Sequence, residues 1–360
     1  MITTFIGKAV YKLLSIFRDA SSFPGKVVLK LDKNYLSKID TKDTFIIFVT
    51  GTNGKTSTTK YISEYLNKEY SVLTNKYGAN IIQGITTAVL TELKGNKIKQ
   101  EFTVLEVDEL YLGRIVEAGL VPNLVLVTNL YEDQLDRMGS LDRVKGKIFE
   151  PLNNYNIRTI TTMEIFNESR PFIKNFDEKS INLEADIKSR VEKLDVFKQK
   201  NFFNALSVLI DLENFNLIKD VNFSLLLDIV EEKEVLKGRM QKLEYKGQNT
   251  IMNLVKNKAG LDFTIKELEK LDDVFDILLN IGRTEADGLD QSWILNYDFN
   301  KVKNSTKANN IFITGEIVGN IPNDLIKLER IEDLKTDNKV IFLPNYSKIG
   351  ETFNYIEKNK

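Results

Sequence analysis

The sequence of 360 residues contains no cysteine and no histidine. Those two absences exclude a four-Cys zinc ribbon, histidine-ligated metals, and any Cys or Ser nucleophile activated by a histidine of the same chain. Chemistry must run on carboxylates, lysines, amides, hydroxyls and hard cations. Charge of one sign is also missing: 50 Lys and Arg stand against 51 Asp and Glu, so no global field points to nucleic acid or an acidic membrane. Partners have to be read from local sites. No apolar run approaches the length of a membrane span, and the opening MITTFIGKAVYKLLSIFRDA has charges scattered through its apolar part and no small-residue cleavage pattern. The expected location is cytoplasmic, with at most peripheral membrane contact. Ile6, Val10, Leu13, Leu14 and Phe17 share one helical face, which either docks on a core or rests on a membrane surface; docking is the commoner use of such a stripe.

What is present is a globular composition, 42% hydrophobic and 28% charged, in a chain long enough for two or three domains. The most informative stretch is TFIIFVTGTNGKTSTTKYISEY, residues 44–65. The continuous apolar run Phe45 to Val49 is that of a parallel strand covered on both faces. It breaks into Gly51-Thr52-Asn53-Gly54-Lys55-Thr56-Ser57, where Gly51 and Gly54 allow a tight turn and successive N–H groups converge with a helix N-terminus on an anion. Lys55 then neutralises β/γ-phosphate charge and the Thr56 hydroxyl sits on Mg²⁺. The general P-loop pattern wants a glycine where Val49 stands, and the plain alternative is a strand-to-helix turn with an exposed lysine.

Strand-type stretches at 44–50, 71–75, 102–107 and 123–129 alternate with helical ones, which predicts a parallel sheet with its ligand residues at the C-terminal strand ends. Ahead of them, residues 26–39 read as a short alternating strand followed by a helix start. After the third strand Glu106 is placed to hold Mg²⁺, directly or through water. After the fourth comes NLYEDQLDRMG, 129–139. Any one of these acids is equally a helix cap or a solvated face. Between about 155 and 200 the sequence is charged and poorly patterned. From 249 onward strands (249–256, 274–281, 310–315, 339–345) and helices alternate again, a second α/β layer.

The six residues Gly51 to Thr56 resemble the nucleotide loop of the Mur ligase superfamily. With Glu106 and NLYEDQLDRMG they resemble its central ATPase domain, and the DQLDR form is similar to that of MurT-type proteins, the synthetase subunits of lipid II isoglutaminyl synthase, which pair with a glutaminase, GatD. Gln134 occupies the position of a metal-holding His in most of the superfamily. Lys147 lies where the superfamily places a lysine that is often carbamylated and bridges metal; a solvated helix lysine is the alternative. Asn201 and Asn204 resemble the Asn-x-x-Asn-Ala helix start that contacts adenine, and Gly238-Arg239 the element between central and C-terminal domains, with Arg239 a candidate phosphate contact. Lys256-Asn257-Lys258-Ala259-Gly260 resembles a MurT-type Lys-Asn-Pro-Ala-Gly, with Lys258 in place of the proline, and Ala286, Asp287, Gly288, Asp290, Ser292 and Trp293 match Ala-Asp-Gly-x-Asp-x-Ser-Trp. The zinc ribbon of that type is absent, and its Arg-Leu-Lys-Tyr-Ala-Gly run is not recognisable.

The resemblance implies an α/β protein: a P-loop, parallel-sheet Mur ligase central domain (44–236) after an N-terminal helix and lead-in (1–43), followed by a smaller Rossmann-like α/β C-terminal domain (237–360). It implies ATP and Mg²⁺ as cofactors, and amidation of the D-glutamate α-carboxylate of lipid II, or a related lipid-linked muropeptide, through an acyl phosphate. Ammonia comes from a GatD-like glutaminase that supplies Cys and His, with Asp287 or Asp290 orienting the partner's histidine. Two alternatives stand beside it: another Mur-ligase-fold amide ligase, amino-acid adding or folylpolyglutamate-like, and a nucleotide-binding scaffold subunit that has lost catalysis.

Overall fold

The computed structural model describes residues 2–15, 21–75, 79–131, 140–161, 173–232, 238–284 and 287–360. The chain divides into two units, Met1–Leu130 with Leu141–Glu231, and Tyr131–Ser140 with Glu232–Lys360.

The first unit opens with helices α1 (Ile2–Ser15) and α2 (Phe23–Leu31). The strand read at the start of 26–39 is instead this second helix. KVVLKL fits a period of 3.6 as well as one of 2, and Pro24 in the first turn, where its missing N–H costs nothing, starts the helix. Gly25 decides its packing, since a Cβ there would lie 2.0 Å from the Gln83 carbonyl oxygen on α4 (Ile82–Glu92). Of the stripe expected on the first helix, Ile6, Val10 and Leu14 are half-buried, Leu13 is exposed and Phe17 lies outside the described residues, while the buried residue of α1 is Gly7, against Val28 and Leu90.

The sheet of this unit comprises β1 (Phe45–Thr50), β2 (Val72–Thr74), β3 (Phe102–Glu106), β4 (Leu124–Val127), β5 (Arg158–Thr161) and β6 (Ile173–Asn175), in the order β2-β3-β1-β4-β5-β6 with every pair parallel. It therefore has two strands beyond the four expected. Both fall in the charged region where the apolar pattern fades, and β6 carries a single apolar residue, Ile173. Helices α3 (Lys55–Leu66), α5 (Leu112–Glu117), α6 (Leu141–Asn154), α7 (Ala185–Glu192), α8 (Val196–Asn214) and α9 (Phe223–Glu231) complete the unit. One core joins Ile47 and Val49 of β1 to Ile62 and Leu66 of α3 and to Phe202, Leu206 and Leu209 of α8, all buried. Burying side chains of this size contributes about 1.5–3 kcal/mol each. Strand order reverses beside β1, with β3 on one side and β4 on the other, so the loops leaving these strands open a crevice at their C-terminal ends.

The second unit holds a mixed sheet in the order β11-β10-β9-β12-β8-β7, formed by β7 (Gln241–Tyr245), β8 (Gln248–Met252), β9 (Phe275–Ile281), β10 (Ala308–Gly315), β11 (Ile326–Lys327) and β12 (Lys339–Pro344). Only the β7–β8 hairpin is antiparallel. Helices α10 (Lys258–Leu268), α11 (Ser292–Leu295), α12 (Phe299–Ser305) and α13 (Ile349–Lys358) belong to this unit. Seven consecutive buried residues in β9 mark it as the central strand.

Candidate nucleotide site

The turn from β1 to α3 is built as a cradle. Gly51 (φ +123°) and Gly54 (φ +86°) hold conformations that L side chains rarely adopt. Space forbids side chains too: a Cβ at Gly51 would lie 2.4 Å from Thr128 Oγ1, and one at Gly54 2.3 Å from Asn201 Oδ1. Gly54 is the N-cap of α3, so the N–H groups of Lys55, Thr56 and Ser57 in its first turn have no acceptor within the helix and lie at the positive end of its dipole.

The loop is pinned from the end of β4. Asn129 accepts from the Thr52 N–H through its backbone oxygen (2.9 Å) and from the Asn53 N–H through Oδ1 (2.8 Å). Its Nδ2 and the Thr128 hydroxyl both donate to the Asn53 oxygen, at 2.8 and 2.7 Å. Two loop amides are thus spent on holding the loop, which leaves anion binding to the helix side.

Lys55 Nζ donates to the Gly51 oxygen (2.5 Å) and to Glu109 Oε2 (3.1 Å). Burial works against its charge, but the carboxylates of Glu109, Glu106 and Asp108 outweigh that and hold the ammonium above the ordinary lysine range. Glu106 ends β3 in register with Val49. It is buried, and its Oε1 accepts from Asn80 Nδ2 (2.9 Å), while Asn75 clamps its backbone from both sides, accepting from the Glu106 N–H and donating to its oxygen. Among the described residues no group of three acidic side chains is placed to hold a metal ion alone. A single carboxylate at Glu106 and the hydroxyl of Thr56 nevertheless suit Mg²⁺, which takes one or two protein ligands and completes its shell with substrate phosphates and water.

Asn201 and Asn204 are buried on α8, where Asn201 Oδ1 accepts from the Thr58 hydroxyl at 3.4 Å. The two asparagines and the loop expected to share a site are therefore brought together through Gly54. Asn201 is not at a helix start, however: α8 begins at Val196 behind an Asp195 cap, so Asn201 stands more than a turn inside. Lys147 lies on the exposed face of α6. Gln134 lies outside the described residues.

In the second unit Arg239 is half-buried in a turn between Gly238 and Met240, both at positive φ, which Asn253 braces by accepting from the Met240 N–H. Asp287 and Asp290 differ. Asp287 is buried, accepting from the Thr284 N–H and hydroxyl through Oδ2 and from the Ser347 N–H through Oδ1. Burial alone raises its pKa, but the hydrogen bonds from Ser347 and Thr284 hold the carboxyl below its usual range. Asp290 is half-exposed, and among the described residues Ser292 alone bonds to its oxygens.

Glu109, Thr128, Asn129 and Asn75 carry no role in the sequence reading. Their only signal is position, directly after β3, β4 and β2 at the C-terminal edge of the sheet.

Residues 49–219 match the Mur ligase middle domain, and residues 254–340 match the MurT ligase C-terminal domain. The chain belongs to the Mur ligase superfamily. Its C-terminal domain makes it MurT-like, and the curated relatives agree. It is 39% identical to the MurT subunit of lipid II isoglutaminyl synthase (glutamine-hydrolyzing) of Streptococcus pneumoniae over 155 residues, 43% of this chain but only 34% of that one. Against the same subunit of Staphylococcus aureus it is 24% identical over 365 residues, 84% of this chain and 81% of the other. In fold it is similar to MurF ligase from Thermotoga maritima in complex with ADP, with a TM-score of 0.61 at 14% identity over 93% of this chain and 84% of that one. FolC of E. coli in complex with ADP is similar at a TM-score of 0.56 and 12% identity, covering 98% and 97%. A Mur ligase middle domain and a second mixed-sheet α/β domain are thus the architecture of this MurT-like chain.

Proposed function

We propose that this MurT-like chain is the synthetase subunit of a glutamine-hydrolysing amidotransferase that converts the D-glutamate α-carboxylate of a lipid-linked muropeptide to the amide at the expense of ATP. The observation that carries the reading is the pairing of a built phosphate cradle, Lys55 at the N-terminus of α3, with a C-terminal region matching the MurT ligase domain.

A carboxylate oxygen of the substrate attacks the γ-phosphorus of ATP, ADP leaves, and ammonia then attacks the acyl carbon as phosphate departs. That first step needs positioning and charge neutralisation rather than a covalent protein group. Lys55 and the amides of Lys55, Thr56 and Ser57 hold the phosphates, and Asn201 and Asn204 border the loop where the base lies. Glu106 and Thr56 would hold Mg²⁺, which would supply further neutralisation of phosphate charge. Releasing ammonia from glutamine takes a Cys with a His base; with neither in the sequence, a glutaminase partner supplies both. Of the two aspartates, Asp290 suits the partner's histidine better, since both oxygens of Asp287 already accept hydrogen bonds, one from Thr284 in its own turn and the other from the Ser347 N–H beyond β12.

The test is mass spectrometry of a lipid-linked muropeptide incubated with the protein, ATP, Mg²⁺ and an ammonium salt, without glutaminase. The expected result is conversion of the acid to the amide, lost in Lys55→Ala. ATP binding without amide formation points to another acceptor, and no ATP binding overturns the proposal.

A further inference from the structure

We propose that the outer face of α1 and α2 is a docking surface for an anionic lipid bilayer. The inner faces of these helices are settled by packing. Gly7 of α1 lies so close to Val28 of α2 and Leu90 of α4 that a Cβ would stand 2.4 and 2.6 Å from their methyl carbons, and Pro24, Gly25 and Val28 are the buried residues of α2. The opposite faces are apolar as well, yet uncovered. Ile2 (78% exposed), Phe5 (75%) and Leu13 (62%) lie with exposed Ala9 at a spacing of three or four residues, one stripe along α1 on the side away from Gly7. Phe23 and Leu31 of α2 are exposed too. Helices of 14 and 9 residues thus carry five of the fourteen exposed large apolar side chains among the described residues, a concentration that scattered surface hydrophobes do not show.

Charge selects the occupant. The two helices contain Lys8, Lys12, Lys26 and Lys30 and no acidic residue, in a chain whose total charge is nearly zero. Lys8 is committed, its Nζ donating to the Leu93 oxygen at 2.6 Å, whereas Lys12 is exposed beside the stripe of α1, and Lys26 and Lys30 are exposed on α2 three and seven residues after Phe23. Lysine is depleted from the cores of protein–protein interfaces, because burying its ammonium is costly. Next to an anionic headgroup layer the same three ammonium groups gain attraction while Phe5, Leu13 and Phe23 enter the headgroup–acyl boundary. No described helix is long and apolar enough to cross a bilayer, so α1 lies on the surface. The inference stands on these two helices and not on the reaction proposed above.

The experiment is co-sedimentation of the full chain with vesicles of phosphatidylcholine alone or doped with phosphatidylglycerol, without nucleotide or muropeptide. Binding is expected on the anionic vesicles and falls with added salt. The double substitution Phe5→Ser with Leu13→Ser, and the triple Lys12→Gln, Lys26→Gln and Lys30→Gln, each weaken it by at least about tenfold. All these positions are exposed, and an unchanged urea midpoint establishes that the variants are folded. Absence of binding to anionic vesicles, equal binding by folded variants, or a dimer that Phe5→Ser with Leu13→Ser dissociates while vesicles go unbound overturns the proposal. Because the assay contains no ATP or acceptor, its failure is distinct from failure of the amidation test.

Discussion

Lys55 Nζ stands 3.1 Å from Glu109 Oε2, in a pair whose side chains are 11% and 1% exposed. The two halves are unequally replaceable. Removing the lysine takes the neighbouring ammonium from a buried carboxylate, whereas removing the charge of Glu109 leaves the ammonium its bond to the Gly51 oxygen and the field of Glu106 and Asp108. Removing one partner of a buried pair costs about 3–5 kcal/mol. Lys55→Met is expected to destabilise by about 3 kcal/mol, Glu109→Gln by about 1–2. The double variant Lys55→Met with Glu109→Gln should lose less than the sum of the two single losses. Urea unfolding analysed as a double-mutant cycle checks this; additive losses would show the pair to be uncoupled.

Asn129 touches the loop rather than the nucleotide in the proposed arrangement, yet it makes three of the bonds that hold Thr52 and Asn53. Asn129→Ala should therefore weaken ATP binding about tenfold by loosening the cradle, with the loss of two side-chain hydrogen bonds worth about 1 kcal/mol each. Asn129→Asp keeps the acceptor for the Asn53 N–H but not the donor, and should fall between. Isothermal titration with ATP separates the three proteins; equal affinities would place the pinning outside the binding step.

Gly54→Ala meets two obstacles, a φ of +86° and a Cβ 2.3 Å from Asn201 Oδ1. The backbone term alone costs about 1–2 kcal/mol. Adding Asn201→Ala removes the clash and not the strain, so the double variant should regain part of the stability lost by Gly54→Ala. If it regains none, backbone strain accounts for the whole effect.

How far the sequence carried the fold depended on apolar pattern. The run Phe45 to Val49 and the seven residues of β9 are apolar enough to be read as buried strands, and the glycines at 51 and 54 announce the turn between β1 and α3. β6 could not be read this way, because an edge strand buries little and Ile173 is its lone apolar residue. The helix at Phe23–Leu31 is not legible in its own pattern because its decisive feature is the close approach of Gly25 to Gln83, a neighbour 58 positions away in the chain. The same reason hid Asn129 and Glu109: each acts through a long-range bond, to Asn53 or Lys55, and neither residue type is unusual at a strand end.

Asp287 gives the second unit an acid-sensitive brace. Its folded pKa lies below the ordinary carboxylate value of about 3.9. The stabilisation is therefore complete above that value and fades as pH falls through the lower folded one. Asp287→Asn should lower the urea midpoint at pH 7, and the gap between wild type and variant should close below about pH 4. A gap that persists unchanged into strong acid would mean that the carboxylate charge contributes nothing to holding Thr284 and Ser347.

Asp290 should behave in the opposite way. It is half-exposed and among the described residues bonds to Ser292 alone, in the same turn, so Asp290→Asn is expected to leave the stability read from urea unfolding within about 0.5 kcal/mol of wild type. With a glutaminase partner present, the variant should lose glutamine-dependent amide formation by about two orders of magnitude or more, as when the third member of a triad is neutralised. It should retain amide formation from ammonium salt, because the ATP site is untouched. A matching loss with both nitrogen sources would move Asp290 from the partner's triad into the synthetase reaction itself, and no loss with either would return the triad role to Asp287.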